Sequence, residues 1–293
     1  MKVLHAADGL EAAEEARRLM KKLFRREGLE VTVVSVTSTG LPSLGELPYR
    51  LDPKELRRPD SVAIVDAAVE DLRGAGFSVS GRVCEGDPAT EVLHLIERDW
   101  FDVTVIGTGH HTWMGAHLLG SVSTNVLHSS PSSVLMVHKI ESDDEVARVL
   151  VATDGSRGSD QAVQWLSRII DPELCTVTVL SVAPDLPTPV MPPLVPLMAE
   201  ADDRTRHAME ARASQIAGKA VSALNDLGFK AEPKVVSGSP VEQVLEEATA
   251  VRYDLVAVGT RGMGAVHRTM IGSVSDQITR HAGATFVARR LTH

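Results

Sequence analysis

From Met1 to about residue 140, short apolar runs alternate with longer stretches in which apolar residues return every three or four positions. Lys2 to Ala7, Glu30 to Thr37, Ser78 to Cys84, Val103 to Gly107 and Ser133 to His138 read as strands. Each is short, apolar and bounded by turn residues. Glu11 to Arg26, Asp60 to Ala75, Pro88 to Asp99 and Ser121 to Ser129 carry the helical spacing. Five strands with helices between them predict right-handed crossovers and a parallel, doubly wound sheet covered by helices on both faces. Ligands of such sheets bind beyond the carboxyl ends of the strands, where the strand order reverses.

The pattern then repeats. KVLHAADG (Lys2 to Gly9) matches RVLVATDG (Arg148 to Gly155), and RVCEGDPATEVL (Arg82 to Leu93) matches KVVSGSPVEQVL (Lys234 to Leu245). WFDVTVIGTG (Trp100 to Gly109) matches RYDLVAVGTR (Arg252 to Arg261), and GSVSTNVLHSS (Gly120 to Ser130) matches GSVSDQITRHA (Gly272 to Ala282). The offset grows from 146 to 152 residues, so the second half carries about six more, placed most simply near its proline-rich stretch APDLPTPVMPPLVP. A unit this long is a duplicated domain rather than a solenoid repeat. Two domains are expected, residues 1–141 and 146–293, joined by the short polar linker Lys139 to Arg148 and packed as a pseudo-symmetric pair.

Composition narrows the function. A chain of 293 residues that is 43% hydrophobic can fill two cores. A formal charge of -9 and 3% aromatic residues argue against nucleic acid as partner, because phosphate neutralisation and base stacking both lack material. A single phosphorylated small molecule needs only a local positive patch. Cys84 and Cys175 sit in separate strand-like segments without a CxxC or Cys/His cluster, which reads as buried free thiols. Strand pattern from Lys2 onward leaves no room for a signal peptide, and no apolar run has the length of a membrane span. A cytoplasmic protein with no membrane partner is the expectation.

One loop concentrates the chemistry. GTRGMGAVHRTMIGS (Gly259 to Ser273) holds four glycines, two arginines and no acid, between the strand-like DLVAV and the helix-like VSDQITRHA. It has neither the Walker A nor the G-x-G-x-x-G spacing. Gly259 and Gly262 would let backbone N–H groups turn toward one centre, as a nest does. Gly272-Ser273 falls where a helix begins, with Ser273 expected as its N-cap beside the positive end of the dipole. Arg261 and Arg268 add charge.

With those residues in view, the whole chain resembles a tandem universal stress protein, and the loop resembles that family's ATP motif, G-2x-G-9x-G-[ST]. The resemblance implies an adenine-nucleotide-binding, Rossmann-like fold in each half and a nucleotide-dependent regulatory or stress-response role. It implies that Asp154, at the end of the first strand of the second half, contacts the nucleotide, and that Val182 lies against adenine and ribose. Gly259, Gly262, Gly272 and Ser273 would hold the phosphates, with Val274 close by and Arg261 and Arg268 alongside. An optional Mg2+ would reach Asp154 through the ATP phosphates. On local evidence alone, Asp154 serves a turn as readily as a ligand, and Val182 reads as a core valine.

The first half departs from the motif. Its loop GTGHHTWMGAHLLGS (Gly107 to Ser121) keeps Gly107 and Gly120-Ser121, but His110 replaces the middle glycine, and Gly109 and Ala116 replace the two arginines. Asp8 and Val36 keep the other two contacts. ATP is therefore expected mainly in the second half. His110, His111 and His117 lack a local acid or cysteine and read as solvated loop residues rather than metal ligands. No nucleophile elbow or paired acid and base can be assigned, so no catalytic residue is named. Two other readings stay open: slow ATP hydrolysis or phosphate transfer, and a nucleotide-independent scaffold in which Ser133 to His138 and Ala284 to Arg289 pair across subunits. A homodimer or an intramolecular pseudo-dimer, and a protein partner of unknown identity, complete the expectations.

Overall fold

The computed structural model describes residues 1–38, 60–109, 111–113, 116–140, 142, 144–185, 195–260 and 271–289; for 111–113, 116–118 and 195–202 it describes the backbone alone. The first half runs β1 (Lys2–Ala6), α1 (Glu11–Leu23), β2 (Glu30–Thr37), α2 (Ser61–Gly74), β3 (Ser78–Glu85), α3 (Pro88–Asp99) and β4 (Val103–Gly107). A small hairpin, β5 (His111–Trp113) and β6 (Ala116–Leu118), precedes α4 (Ser121–Ser129) and β7 (Ser133–Val137). The second half runs β8 (Ala147–Ala152), α5 (Arg157–Ile169), a 3-10 turn (Pro172–Leu174), β9 (Cys175–Ala183), α6 (Val195–Asp226), β10 (Lys230–Ser237), α7 (Pro240–Val251), β11 (Leu255–Gly259), α8 (Ser273–His281) and β12 (Ala284–Ala288).

Local chemistry accounts for these elements. In α1 the buried residues Ala12, Ala13, Ala16, Leu19, Met20 and Leu23 recur at helical spacing. The side chain of Asp87 accepts from the Thr90 amide at 2.9 Å, with Pro88 in the first turn, and together they start α3. Central strands β4, β7 and β12 are mostly apolar, each with one buried hydroxyl residue (Thr104, Ser133 and Thr285), and are buried on both faces, as strands between helical layers must be.

Each half is a parallel five-stranded sheet, and the two sheets are one. The strand order is β10-β9-β8-β11-β12-β7-β4-β1-β2-β3, with β12 antiparallel to β7 and every other neighbouring pair parallel. The final strands of the halves therefore pair inside one chain, which corrects the expectation that they pair across subunits. Their backbone groups already have partners, and a second copy would find none there. Leu135 and Phe286 hold the same place in their halves and face one another across this junction, which puts the pseudo-twofold axis between them.

Helices α1, α2, α5 and α6 cover one face of the sheet over Val3, Val105, Leu135, Phe286 and Val149. Helices α3, α4, α7 and α8 cover the other, over Leu4, Ile106, Met136, Leu150 and Val258. Where the C-termini of α1 and α5 meet, Phe24 and Ile170 form an antiparallel bridge, the Arg25 amide donates to the Ile169 carbonyl at 2.9 Å, and the Asp171 amide donates to Leu23 at 3.0 Å. Asp254, wholly buried, accepts from Lys22 Nζ at 2.9 Å, from Ser142 Oγ at 3.1 Å and from the Arg148 amide at 2.9 Å. This ion pair crosses from one half to the other.

Candidate functional site

In the second half β8 lies at the centre of its sheet, flanked by β9 on one side and β11 on the other. The chain leaves β8 toward β9 and later returns to β11 beyond it, so the strand order reverses between β8 and β11. A crevice opens at the carboxyl ends of strands at such a point. Asp154 follows β8 there, Gly259 ends β11, and Gly272-Ser273 opens α8.

The Asp154 turn is tightly specified. Its Oδ1 accepts from the Ser156 amide at 2.9 Å and from Ser159 Oγ at 3.1 Å, while Ser159 Oγ also lies 3.0 Å from Thr153 Oγ1. Gly155 next to it has φ 73°. The same turn recurs in the first half, where Asp8 Oδ1 accepts from the Leu10 amide at 3.0 Å and Gly9 has φ 77°. A left-handed residue in that place favours glycine, which explains the repeated Asp-Gly pair.

Gly259 has a use that the motif did not suggest. A Cβ there would stand 2.4 Å from the Gly158 carbonyl carbon and 2.6 Å from the Ser159 nitrogen, inside the first turn of α5. Gly107 meets Ala12 and Ala13 of α1 in the same way, with the Ala12 carbonyl carbon at 2.4 Å. The first glycine of each loop is thus demanded by strand-against-helix packing in both halves. The sequence signal was the small residue opposite each one, Gly158 and Ala12.

At the other end of the loop, Gly272 rather than Ser273 is the N-cap of α8, and Ser273 is its first helical residue; among the described residues no side chain caps the helix. The first half repeats this with Gly120 and Ser121. The Gly272 amide donates to the Thr260 carbonyl at 2.8 Å, which closes the base of the loop. Ser275 Oγ donates to the Gly259 carbonyl at 2.6 Å, so the start of α8 is pinned to the end of β11. Val274 packs into the apolar layer of that face. Val182, half-buried near the end of β9, pairs with Val236 and borders the same layer.

Asp154, Val182, Gly259, Gly272, Ser273 and Val274 therefore gather at or beside one end of the sheet. Arg261, Gly262 and Arg268 lie outside the described residues, as does His110 of the first half. Among the described residues, a recess of about 250 Å³ opens beyond β9 and β10, lined by Ala183, Asp185, Thr205, Arg206, Met209 and Ser237. A second hollow, about 460 Å³, lies between α5 and α6 behind Asp154.

The two thiols are free, Cys175 buried and Cys84 half-buried. Burial pushes the Cys175 thiol up to about 12, which keeps it protonated and inert. Among the described residues, no helix is long and apolar enough to cross a membrane.

A sequence profile of the universal stress protein family matches residues 1–138 and again residues 145–287. The chain belongs to the universal stress protein family. It is 43% identical over 56 residues to a universal stress protein of Methanothermobacter thermautotrophicus, an alignment covering 19% of this chain and 38% of that one. It is 29% identical over 185 residues to one of Mycolicibacterium smegmatis, covering 61% of this chain and 58% of the relative. The chain thus spans about half the length of these relatives. The crystal structure of a universal stress protein from Archaeoglobus fulgidus superposes with a TM-score of 0.66 over 99% of this chain and 98% of that one, at 20% identity. That likeness extends the shared fold across both domains.

Among the described residues no side chain caps α8, and the first-turn amides of a helix are suited to anionic oxygen acceptors.

Proposed function

We propose that the second domain binds ATP at the crevice between β8 and β11 and that ATP acts as a regulatory ligand rather than a consumed substrate. One observation carries the reading: the uncapped start of α8 is pinned to the last residue of β11 beside the Asp154 turn, at the two ends of a loop with G-2x-G-9x-G-[ST] spacing. The first-turn amides of α8 and the amides around Gly262 take the phosphates, with Arg261 and Arg268 balancing their charge. Val182 supports the adenine and ribose, and the recess beyond β9 offers them space. Asp154 orders the turn through its Oδ1 and presents a carboxylate to ribose or to a phosphate-bound Mg2+. Occupancy of the crevice by the nucleotide then changes the surface offered to a partner protein.

Isothermal titration of ATP into the full chain, before and after removal of any copurified nucleotide, tests this. One bound ATP per chain is expected. No heat and no binding in either preparation removes the proposal.

A further inference from the structure

Each half closes a helix of the other. His138 follows β7 and Arg289 follows β12, and the two stand at the same place in their halves. The Arg289 guanidinium donates to the Leu127 carbonyl in the last turn of α4. The His138 ring places Nε2 2.8 Å from the Thr279 carbonyl in the last turn of α8, and Thr279 is the counterpart of Leu127. Carbonyls in the last turn of a helix have no donor within it, so each cross-half contact supplies a missing partner.

The chemistry at His138 is directional. A carbonyl only accepts, so Nε2 carries the hydrogen, and Nδ1 faces the hydroxyl of Thr108. Thr108 is the residue after Gly107, at the root of the first-half loop. Its one hydroxyl hydrogen goes to Nδ1, and the Val137 carbonyl accepts instead from the Thr108 amide at 2.8 Å. His138 and Thr108 are almost wholly buried, so water does not compete for these bonds. From Thr279 the chain of bonds continues toward the other loop: Thr279 Oγ1 donates to the Ser275 carbonyl at 2.7 Å, and Ser275 Oγ donates to Gly259 at 2.6 Å. Side chains thus link the first glycine of one loop to the first glycine of the other. The mirror-related route stops in the first half, because Leu127 has no hydroxyl.

We propose that His138, a residue of the first domain, is a positioning residue for the nucleotide site of the second. By holding the C-terminal end of α8 it fixes the rod whose first turn stands beside Gly259, and it ties that rod to the root of the first-domain loop. The inference rests on the reading that ATP phosphates sit at the start of α8.

Hydrogen–deuterium exchange of the nucleotide-free full chain, together with ATP titration, tests it on three variants. His138→Leu is expected to speed exchange across α8 but not α4 and to weaken ATP binding about tenfold. His138→Gln, whose amide nitrogen keeps a donor for the Thr279 carbonyl, is expected to restore affinity to within about threefold. Arg289→Met is expected to speed exchange in α4 and leave ATP affinity within about twofold. Unchanged α8 exchange in His138→Leu, or equal losses of affinity in His138→Leu and Arg289→Met, overturns the proposal. Should the leucine variant not fold, His138→Asn, too short to reach the carbonyl, takes its place under the same expectations. If the wild-type protein binds no ATP, the functional reading falls, and the α8-against-α4 exchange contrast alone decides whether His138 holds the helix.

Discussion

Behind the Asp-Gly turn of the first half, the Asp71 carboxylate accepts from Lys21 Nζ at 2.7 Å and from Arg17 Nε at 3.2 Å. The second half has Ala223, Ser167 and Val163 in those places, and the hollow of about 460 Å³ between α5 and α6 lies there. Beneath the ion pairs, β1 buries His5 where β8 has Val151. The duplicated domains thus kept their backbone and exchanged their chemistry. One half is laced with charge behind its turn and carries His110 where the other has Gly262. The other has no counterpart of those ion pairs, its hollow being lined by Arg212, Lys219 and Gln164 beside Val163 and Ala223, and it keeps the glycine and the arginines. Folding constrains apolar periodicity and close backbone approaches in both copies, whereas ligand binding constrains only the copy that binds.

The largest test of this contrast strikes the buried Lys22–Asp254 ion pair that joins the halves. Lys22→Met leaves the wholly buried Asp254 carboxylate without its cation, and a loss of about 3 kcal/mol is expected from denaturant unfolding. The counterpart substitution Arg168→Met should cost much less. Equal losses would mean that the halves are joined symmetrically.

Close behind come Gly259→Ala and Gly107→Ala. Each Cβ would sit about where a helix backbone already stands, so each variant should lose about 2–3 kcal/mol and a matching part of its melting temperature. Similar losses in both halves would separate the packing demand from any ligand demand. A stable Gly259→Ala that merely fails to bind nucleotide would reverse that reading.

His5 offers a pH-dependent contrast. Burial, with help from the Arg17 charge, holds its pKa at about 3, while the Val105 backbone and Asp71 pull weakly the other way. The unfolded chain takes up this proton near pH 6.5, the folded chain only near pH 3. Stability is therefore expected to fall as pH drops through that window, by about 1.4 kcal/mol per unit. His5→Val, copying the second half, should flatten the acid limb. An acid limb of unchanged slope would assign it to other groups.

The smallest expected effect concerns the loops. Gly262→His, which copies the first domain, is expected to weaken ATP binding about tenfold while leaving the melting temperature in place. The reciprocal His110→Gly should give the first domain little, because Gly109 and Ala116 still stand where the arginines would be. Unchanged affinity in Gly262→His would break the functional side of the comparison and leave its structural side intact.

Apolar periodicity gave most strands and helices to within a few residues, because a buried face repeats along the chain with the geometry of its element. The hairpin β5–β6 was not legible: its three-residue strands carry no periodicity, and β6 lies against α8 of the other half. Of the candidate site, Asp154, Val182, Gly272, Ser273 and Val274 were named from spacing and family resemblance, and the fold brings them to or beside one end of the sheet. The capping role moved from Ser273 to Gly272, since Ser275 two residues further on supplies the hydroxyl that binds the strand end. Gly259 was found for its spacing, and its packing against Gly158 became visible only with α5 in place.

By itself the sequence determined the duplication, the doubly wound class, the position of the loop and the inequality of its two copies. Each of those is written in local patterns or in a comparison of one half with the other. The single ten-stranded sheet, the Leu135–Phe286 junction, the Lys22–Asp254 pair and the His138 contact were decided by tertiary structure alone. They join residues more than a hundred positions apart, and local pattern holds no record of which distant backbone groups or charges will be buried together.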